Sequence, residues 1–199
     1  MDQDVPHPAA DLAHKSIPIL RYSQLLFRSH SAAHSPMFYG KTGYNRFDAP
    51  DKSYGVLYAG RDAGCAFIET FANSAGTRVV TTAALRQRAL SELEPRRPLR
   101  LVDLTQPGAL LKLGADARLF SASHRIAQVW SKSLYDHRSK ADGLLYPSRL
   151  DPTCPSIALF EGRGPELIEI SRQNWYAPGP LRPTLAAILN RYDLELIVA

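Results

Sequence analysis

The chain has 199 residues, 45% hydrophobic and 22% charged, with 24 Lys and Arg against 19 Asp and Glu. Those proportions suit one globular domain with its own core and exclude a disordered chain, a collagen-like fibre or a coiled coil. The formal charge of +5 is dispersed: the densest basic cluster, Arg86, Arg88, Arg96, Arg97 and Arg100, is interleaved with Glu92, Glu94 and Asp103, which argues against a nucleic-acid-binding function.

Residues 1–16, with prolines and histidines but little apolar periodicity, read as a flexible N-terminal arm, and residues 17–199 as the domain proper. Residues 21–28 (RYSQLLFR) predict a first strand. From Ser29 to Lys52 the chain is rich in Ser, Gly, Pro and Asp with isolated aromatics, the composition of a long functional loop. Tyr54–Tyr58 predicts a short buried strand, and Ala63–Asn73 a helix, because Ala63, Ala66, Phe67, Thr70 and Phe71 recur at helical spacing before a Ser/Gly cluster. Strands follow at Val79–Thr82 and Leu99–Leu104, then a short helix at Gly108–Leu113 behind Pro107. A longer helix capped by Ser121 or Ser123 runs to about Tyr135, with Ile126, Val129, Trp130 and Leu134 on one face. Strands at Gly143–Ser148, Ser156–Glu161 and Glu166–Ser171, a helix at Pro183–Tyr192 and a strand at Leu194–Val198 complete an α+β domain without a regular βαβ repeat.

Several chemistries lack their residues. There is no GxGxxG, no GxxxxGK[ST] and no GxSxG elbow, and the HSAAH run at His30 and His34 lacks the glutamate of a zinc-hydrolase helix. Cys65 and Cys154 are far apart with no ligand cluster beside either, so they read as free thiols of a reducing cytosol, and no metal site is expected. No apolar run approaches the roughly 20 residues of a membrane span, and the acidic, proline-containing start does not resemble an export signal. The expected location is the cytoplasm.

Glu69 stands in a largely apolar helical stretch, where a carboxylate either takes the exposed edge or serves a cleft wall. Arg28 and Arg46 flank the aromatic loop; guanidinium forks bind pyrophosphate oxygens in pairs, and Tyr39, Tyr44, Phe47 and Tyr58 offer rings for bases. Ser148 follows Pro147 at a strand end, where a serine also satisfies local backbone.

Taken in order, Phe27-Arg28, Asn45-Arg46-Phe47, Gly55-Val-Leu-Tyr58, Ala66-Phe-Ile-Glu69 and Gly143-Leu-Leu-Tyr-Pro-Ser148 resemble the pattern of the RES domain family over residues 21–175. The resemblance implies a single domain related to the ADP-ribosyltransferase fold, a mixed central sheet with flanking helices. It implies a bacterial toxin that destroys NAD by cleaving its nicotinamide–ribose bond, with water or phosphate as acceptor and NAD as substrate rather than cofactor. The family's arginine, glutamate and serine fall on Arg28 (or Arg46), Glu69 and Ser148. In that frame Glu69 stabilises the ribosyl cation, Tyr58 lies against nicotinamide or ribose, Arg28 and Arg46 clamp the pyrophosphate, and Ser148 binds the nicotinamide end. The implied partner is an antitoxin with a helix-turn-helix DNA-binding domain, and apolar positions in the Leu181–Ala199 tail suit a homodimer. Two rival readings remain open: ADP-ribosyl transfer to a protein, and a non-catalytic module partnering a DNA-binding antitoxin.

Overall fold

The computed structural model of the protein describes residues 5–72 and 78–199. Asn73 and the Ser/Gly cluster expected to end the first helix lie outside the described residues, as do residues 1–4.

Eight strands form one mixed sheet. They are β1 (Ile19–Tyr22), β2 (Leu26–Ser31), β3 (Val56–Gly60), β5 (Arg88–Pro95), β6 (Leu99–Asp103), β7 (Gly143–Pro147), β8 (Pro155–Phe160) and β9 (Leu167–Asn174), in the order β1-β6-β7-β8-β3-β2-β5-β9. A separate parallel pair joins β4 (Val79–Thr81) to β10 (Glu195–Ile197). The helices are α1 (Ala63–Phe71), α2 (Thr82–Arg86), α3 (Ala109–Leu113), α4 (His124–Asp136) and α5 (Leu181–Arg191). The result is the expected α+β class, a mixed sheet with flanking helices.

Strand alternation decides which face each side chain serves. Leu57, Leu145, Ile157 and Leu159 join Leu20, Leu26, Leu93, Leu101 and Leu167 in a cluster made by strands from across the whole sheet, with no helical residue in it, so the sheet curls around them. Their neighbours Val56, Leu144, Tyr146, Ala158 and Phe160 face the opposite side and pack beneath α4, through Ile126, Ala127, Trp130 and Leu134. A third cluster sets α1 and α5 against Trp175 and Phe27, through Phe67, Ile68, Leu185 and Ile188. The helix-bearing face therefore carries α1 on one side and α4 on the other, with strand residues lining the space between them.

β6 and β7 run parallel, and the long connection between them, holding α3 and α4, is the crossover such a pair requires. β7 is clamped tightly by β8. A Cβ on Gly143 would meet the Ala158 carbonyl oxygen at 2.2 Å and the Leu159 Cα at 2.9 Å.

Several elements differ from the sequence pattern. The single strand expected at 21–28 is two, β1 and β2, and β2 continues to Ser31. His30, expected in a solvated loop, is buried with Nε2 2.8 Å from Ser91 Oγ. β5 was hidden by its charges: Arg88 and Glu94 reach solvent, while Ala89, Leu90 and Leu93 enter the core of an internal strand between β2 and β9. The expected loose arm packs over its described part. Val5 and Leu12 are buried with Trp130, whose Nε1 donates to the Pro6 carbonyl at 2.8 Å, because the face of α4 offers apolar surface the sheet does not cover. Among the described residues no helix is long and apolar enough to cross a membrane.

Gly143→Ala is expected to lower stability by about 3 kcal/mol, because backbone rather than a flexible side chain opposes the added carbon. Urea unfolding measures the change.

Candidate active site

Between α1, the start of α4 and the ends of β2, β3, β7 and β8 lies a cleft of about 450 Å³. Three of the five expected site residues meet there: Arg46, Tyr58 and Glu69.

Arg46 is delivered by the 42–48 loop, and that loop is organised by one buried carboxylate. Asp48 is 0% exposed. Its Oδ2 accepts from Thr42 Oγ1 at 3.1 Å, Gly43 N at 3.0 Å and Asn45 N at 3.1 Å, and from Asn45 Nδ2 at 3.2 Å. Its Oδ1 accepts from the Tyr58 hydroxyl at 2.9 Å. Gly43 has φ +77°, a left-handed turn that glycine adopts without strain. The loop is tied to α4 as well: Gln128 Nε2 donates to the Gly43 and Asn45 carbonyls at 2.8 and 3.0 Å, and Ser131 Oγ to the Phe47 carbonyl at 2.6 Å. So fixed, Arg46 reaches across to donate through Nη1 to the Ala122 carbonyl at 2.8 Å.

Tyr58 is held by its hydroxyl, which donates to Asp48 and accepts from Phe47 N at 3.0 Å. Burial pushes this phenol well above its ordinary range. Its hydroxyl is thus committed, and the ring is what it offers the cleft. Tyr146, buried on β7 and edge-on to Phe47 with centroids 4.6 Å apart, supplies a second ring; burial first, then the charge of Glu69, raises its phenol.

Glu69 occupies the last turn of α1, a helix started by Asp62, whose carboxylate accepts from Cys65 N at 2.7 Å. Cys65, Ala66, Phe67 and Ile68 bury the inner face, and Glu69 takes the exposed edge that lines the cleft. Among the described residues its carboxylate makes no hydrogen bond or ion pair. At a helix C-terminus the macrodipole disfavours a carboxylate by roughly 0.3–1 kcal/mol, so this charge is placed at a cost, and a cation arising beside it gains from both.

The cleft also brings in Arg149, which the sequence reading passed over. It sits beside Arg46 at the cleft mouth, and burial together with the Arg149 charge lowers the Arg46 guanidinium from its ordinary value, against the pull of Tyr146 and Glu69. Asn45 and His124 complete the polar rim, with His124 Nδ1 2.7 Å from the Tyr44 carbonyl. Arg149 directly follows Tyr-Pro-Ser; the turn at Pro147 breaks the strand alternation that would have flagged its direction.

Arg28 and Ser148 stand elsewhere. Phe27 and Ser29 face the cleft, so the intervening Arg28 points to the other side of β2. There Nη2 donates to the Phe38 carbonyl at 2.9 Å, and burial lowers the guanidinium to about 10. Arg28 pins the loop after β2 and does not pair with Arg46. Ser148 is 2% exposed and closes a turn: its Oγ accepts from Leu150 N at 3.0 Å, and its N–H donates to the Cys154 carbonyl at 3.2 Å. It borders a neighbouring, more apolar depression lined by Leu110, Leu111 and Pro152, which shares Phe120, Pro147 and Arg149 with the cleft.

The fold and this cleft define an α+β domain whose cleft is lined by one carboxylate, Glu69, and two guanidinium groups, Arg46 and Arg149. The RES domain profile matches residues 25–184, and the chain belongs to that family. It is 33% identical over 133 residues to the probable toxin y4kH of Sinorhizobium fredii (strain NBRC 101917 / NGR234), covering 65% of this chain and 98% of that protein. The crystal structure of the M. tuberculosis MbcT–MbcA toxin–antitoxin complex contains a chain of similar fold, with a TM-score of 0.68 and 15% identity over 90% of this chain and 98% of that one.

Asp48→Asn is expected to cost about 3 kcal/mol, since an amide nitrogen would then face donors, and each unmet buried donor costs about 1–3 kcal/mol. Urea unfolding, with hydrogen exchange at the Gly43 and Asn45 amides, checks it; unchanged protection at both amides would remove Asp48 from this role.

Proposed function

We propose that this chain is the toxin of a toxin–antitoxin pair and acts by cleaving the nicotinamide–ribose bond of NAD. The observation that carries the reading is Glu69: a carboxylate without a protein partner among the described residues, in one cleft with two guanidinium groups and two tyrosine rings. Family membership and the toxin relative support it.

The chemistry needs little else. Nicotinamide leaves NAD as a neutral molecule, so the reaction requires no general acid, unlike glycosidases whose leaving oxygen must be protonated and which use two carboxylates. As the C1′–N bond breaks, positive charge grows on the ribose, and the Glu69 carboxylate stabilises it where the helix dipole also favours a cation. Arg46 and Arg149 hold the pyrophosphate and fix the ribose against Glu69. The Tyr58 and Tyr146 rings stack on the nicotinamide, whose cationic form suits a ring face. Water then adds to C1′, giving ADP-ribose and a proton; phosphate in its place gives the 1-phosphate.

Within this reading Arg28 and Ser148 are positioning residues, the first through the loop after β2 and the second through the turn that presents Arg149. The antitoxin, with its helix-turn-helix domain, silences the toxin by covering the cleft. Exposed Leu196, Ile197 and Val198 in the C-terminal tail provide apolar surface for a homodimer.

Nicotinamide release from NAD by the purified chain, followed chromatographically with and without phosphate, tests the reading. Glu69→Gln is expected to slow release at least about 100-fold with an unchanged circular dichroism spectrum, the scale of one electrostatic contact to a transition state. Arg149→Ala is expected to raise KM about tenfold, as for loss of a charge-assisted contact of about 1.4 kcal/mol. Label from NAD appearing on protein instead of as free ADP-ribose would reassign the activity to ADP-ribosyl transfer. No release from folded, partner-free chain would leave a non-catalytic interaction module.

A further inference from the structure

Cys65 and Cys154 lie far apart in the sequence, yet the fold brings them together. Cys65 sits in the first turn of α1, and Cys154 at the end of the turn that leads into β8. Both are buried, and the carboxylate of Asp62 joins them at the solvent side, with the three ligand atoms within 4.8 Å of one another. Asp62 and Cys65 are three apart at a helix start, the spacing that sets two side chains on one face. The Cys154 thiol is placed by Tyr192: the Tyr192 hydroxyl donates to Asp151 Oδ2 at 2.8 Å and lies 3.4 Å from Cys154 Sγ.

We propose that Asp62, Cys65 and Cys154 form a binding site for a soft divalent cation of the zinc class. Two sulfurs and a carboxylate oxygen are the donor set such an ion takes, and around a tetrahedral zinc they would stand roughly 3.5–3.8 Å apart, given metal–ligand distances near 2.0–2.3 Å. The three donors are already within about an ångström of that spacing. Asp62 is exposed, so the fourth position of a bound ion would be left to water.

A divalent cation would satisfy both buried sulfurs and the Asp62 carboxylate directly. On binding, each thiol gives its proton to solvent, two in all, and two metal–sulfur bonds form; nothing is oxidised.

The site joins two walls of the cleft. Cys65 is one helical turn before Glu69 on α1, and the 148–154 turn that ends at Cys154 carries Arg149. A bound ion therefore ties the carboxylate side to the arginine side without entering the cleft. The site stands on its own residues, whatever reaction the cleft performs.

Titration of the reduced full chain with Cd2+ under anaerobic conditions tests the site through its thiolate-to-metal ultraviolet band. The band should saturate at one equivalent per chain, be displaced by Zn2+, and vanish in Cys65→Ala and Cys154→Ala. Asp62→Asn keeps the helix cap, since asparagine caps as well as aspartate; it should weaken cadmium binding about tenfold or more, with no dependence on whether the cysteine variants fold. The absence of a saturable band in the parent chain, or its persistence in Cys154→Ala, would overturn the proposal. So would thiol loss on mild oxidation that one equivalent of metal does not slow, which would make the pair a disulfide switch.

Discussion

The candidate site depends on a buried carboxylate, Asp48, that has no cationic partner among the described residues. Asp48 is neutralised by dipoles alone: two backbone amides, the Asn45 side-chain amide, the Thr42 hydroxyl and the Tyr58 phenol. In a low-dielectric setting such a carboxylate is tolerable only when every lone pair is met, and that demand makes the arrangement rigid. Because Tyr58 comes from β3 and the other donors from the loop, the contact welds loop to sheet. Gln128 and Ser131 then weld the same loop to α4. Arg46 inherits its position from all three.

Around that fixed point the cleft separates charge by element. The anion Glu69 rides on α1, whose inner face is anchored by Phe67 and Ile68. The cations ride on loops: Arg46 on the Asp48 loop and Arg149 on the turn closed by Ser148. The strands contribute rings and floor but little charge. Among the described residues neither Glu69 nor Arg149 is drawn into an ion pair, in contrast to the Arg118–Asp116 and Arg172–Glu169 pairs elsewhere on the chain.

Two of the five expected site residues lie off the cleft for ordinary geometric reasons. A strand sends alternate residues to opposite faces, so Phe27 and Ser29 in the cleft oblige Arg28 to leave it. A serine after proline at a turn is drawn to the nearby amides, and Ser148 takes Leu150 N. Arg28 instead holds the Phe38 carbonyl, and the turn closed by Ser148 carries Arg149.

The sequence by itself determined the α+β class, most helices, the family pattern and the identity of Glu69, Tyr58 and Arg46 as residues of interest. These are local signals: helical spacing in Ala63–Phe71, the apolar face of Ile126–Leu134, and an order of short motifs. Only the tertiary structure decided which residues share a site. β5 was hidden because an internal strand can carry charges at its ends, and the N-terminal segment packs because α4 has an uncovered apolar face. Arg149 meets Arg46, and Cys65 meets Cys154, across distances in sequence that no periodicity spans. Helical and strand periods register neighbours within an element; contacts between elements follow from sheet order and curl, which depend on the packing of the whole chain at once.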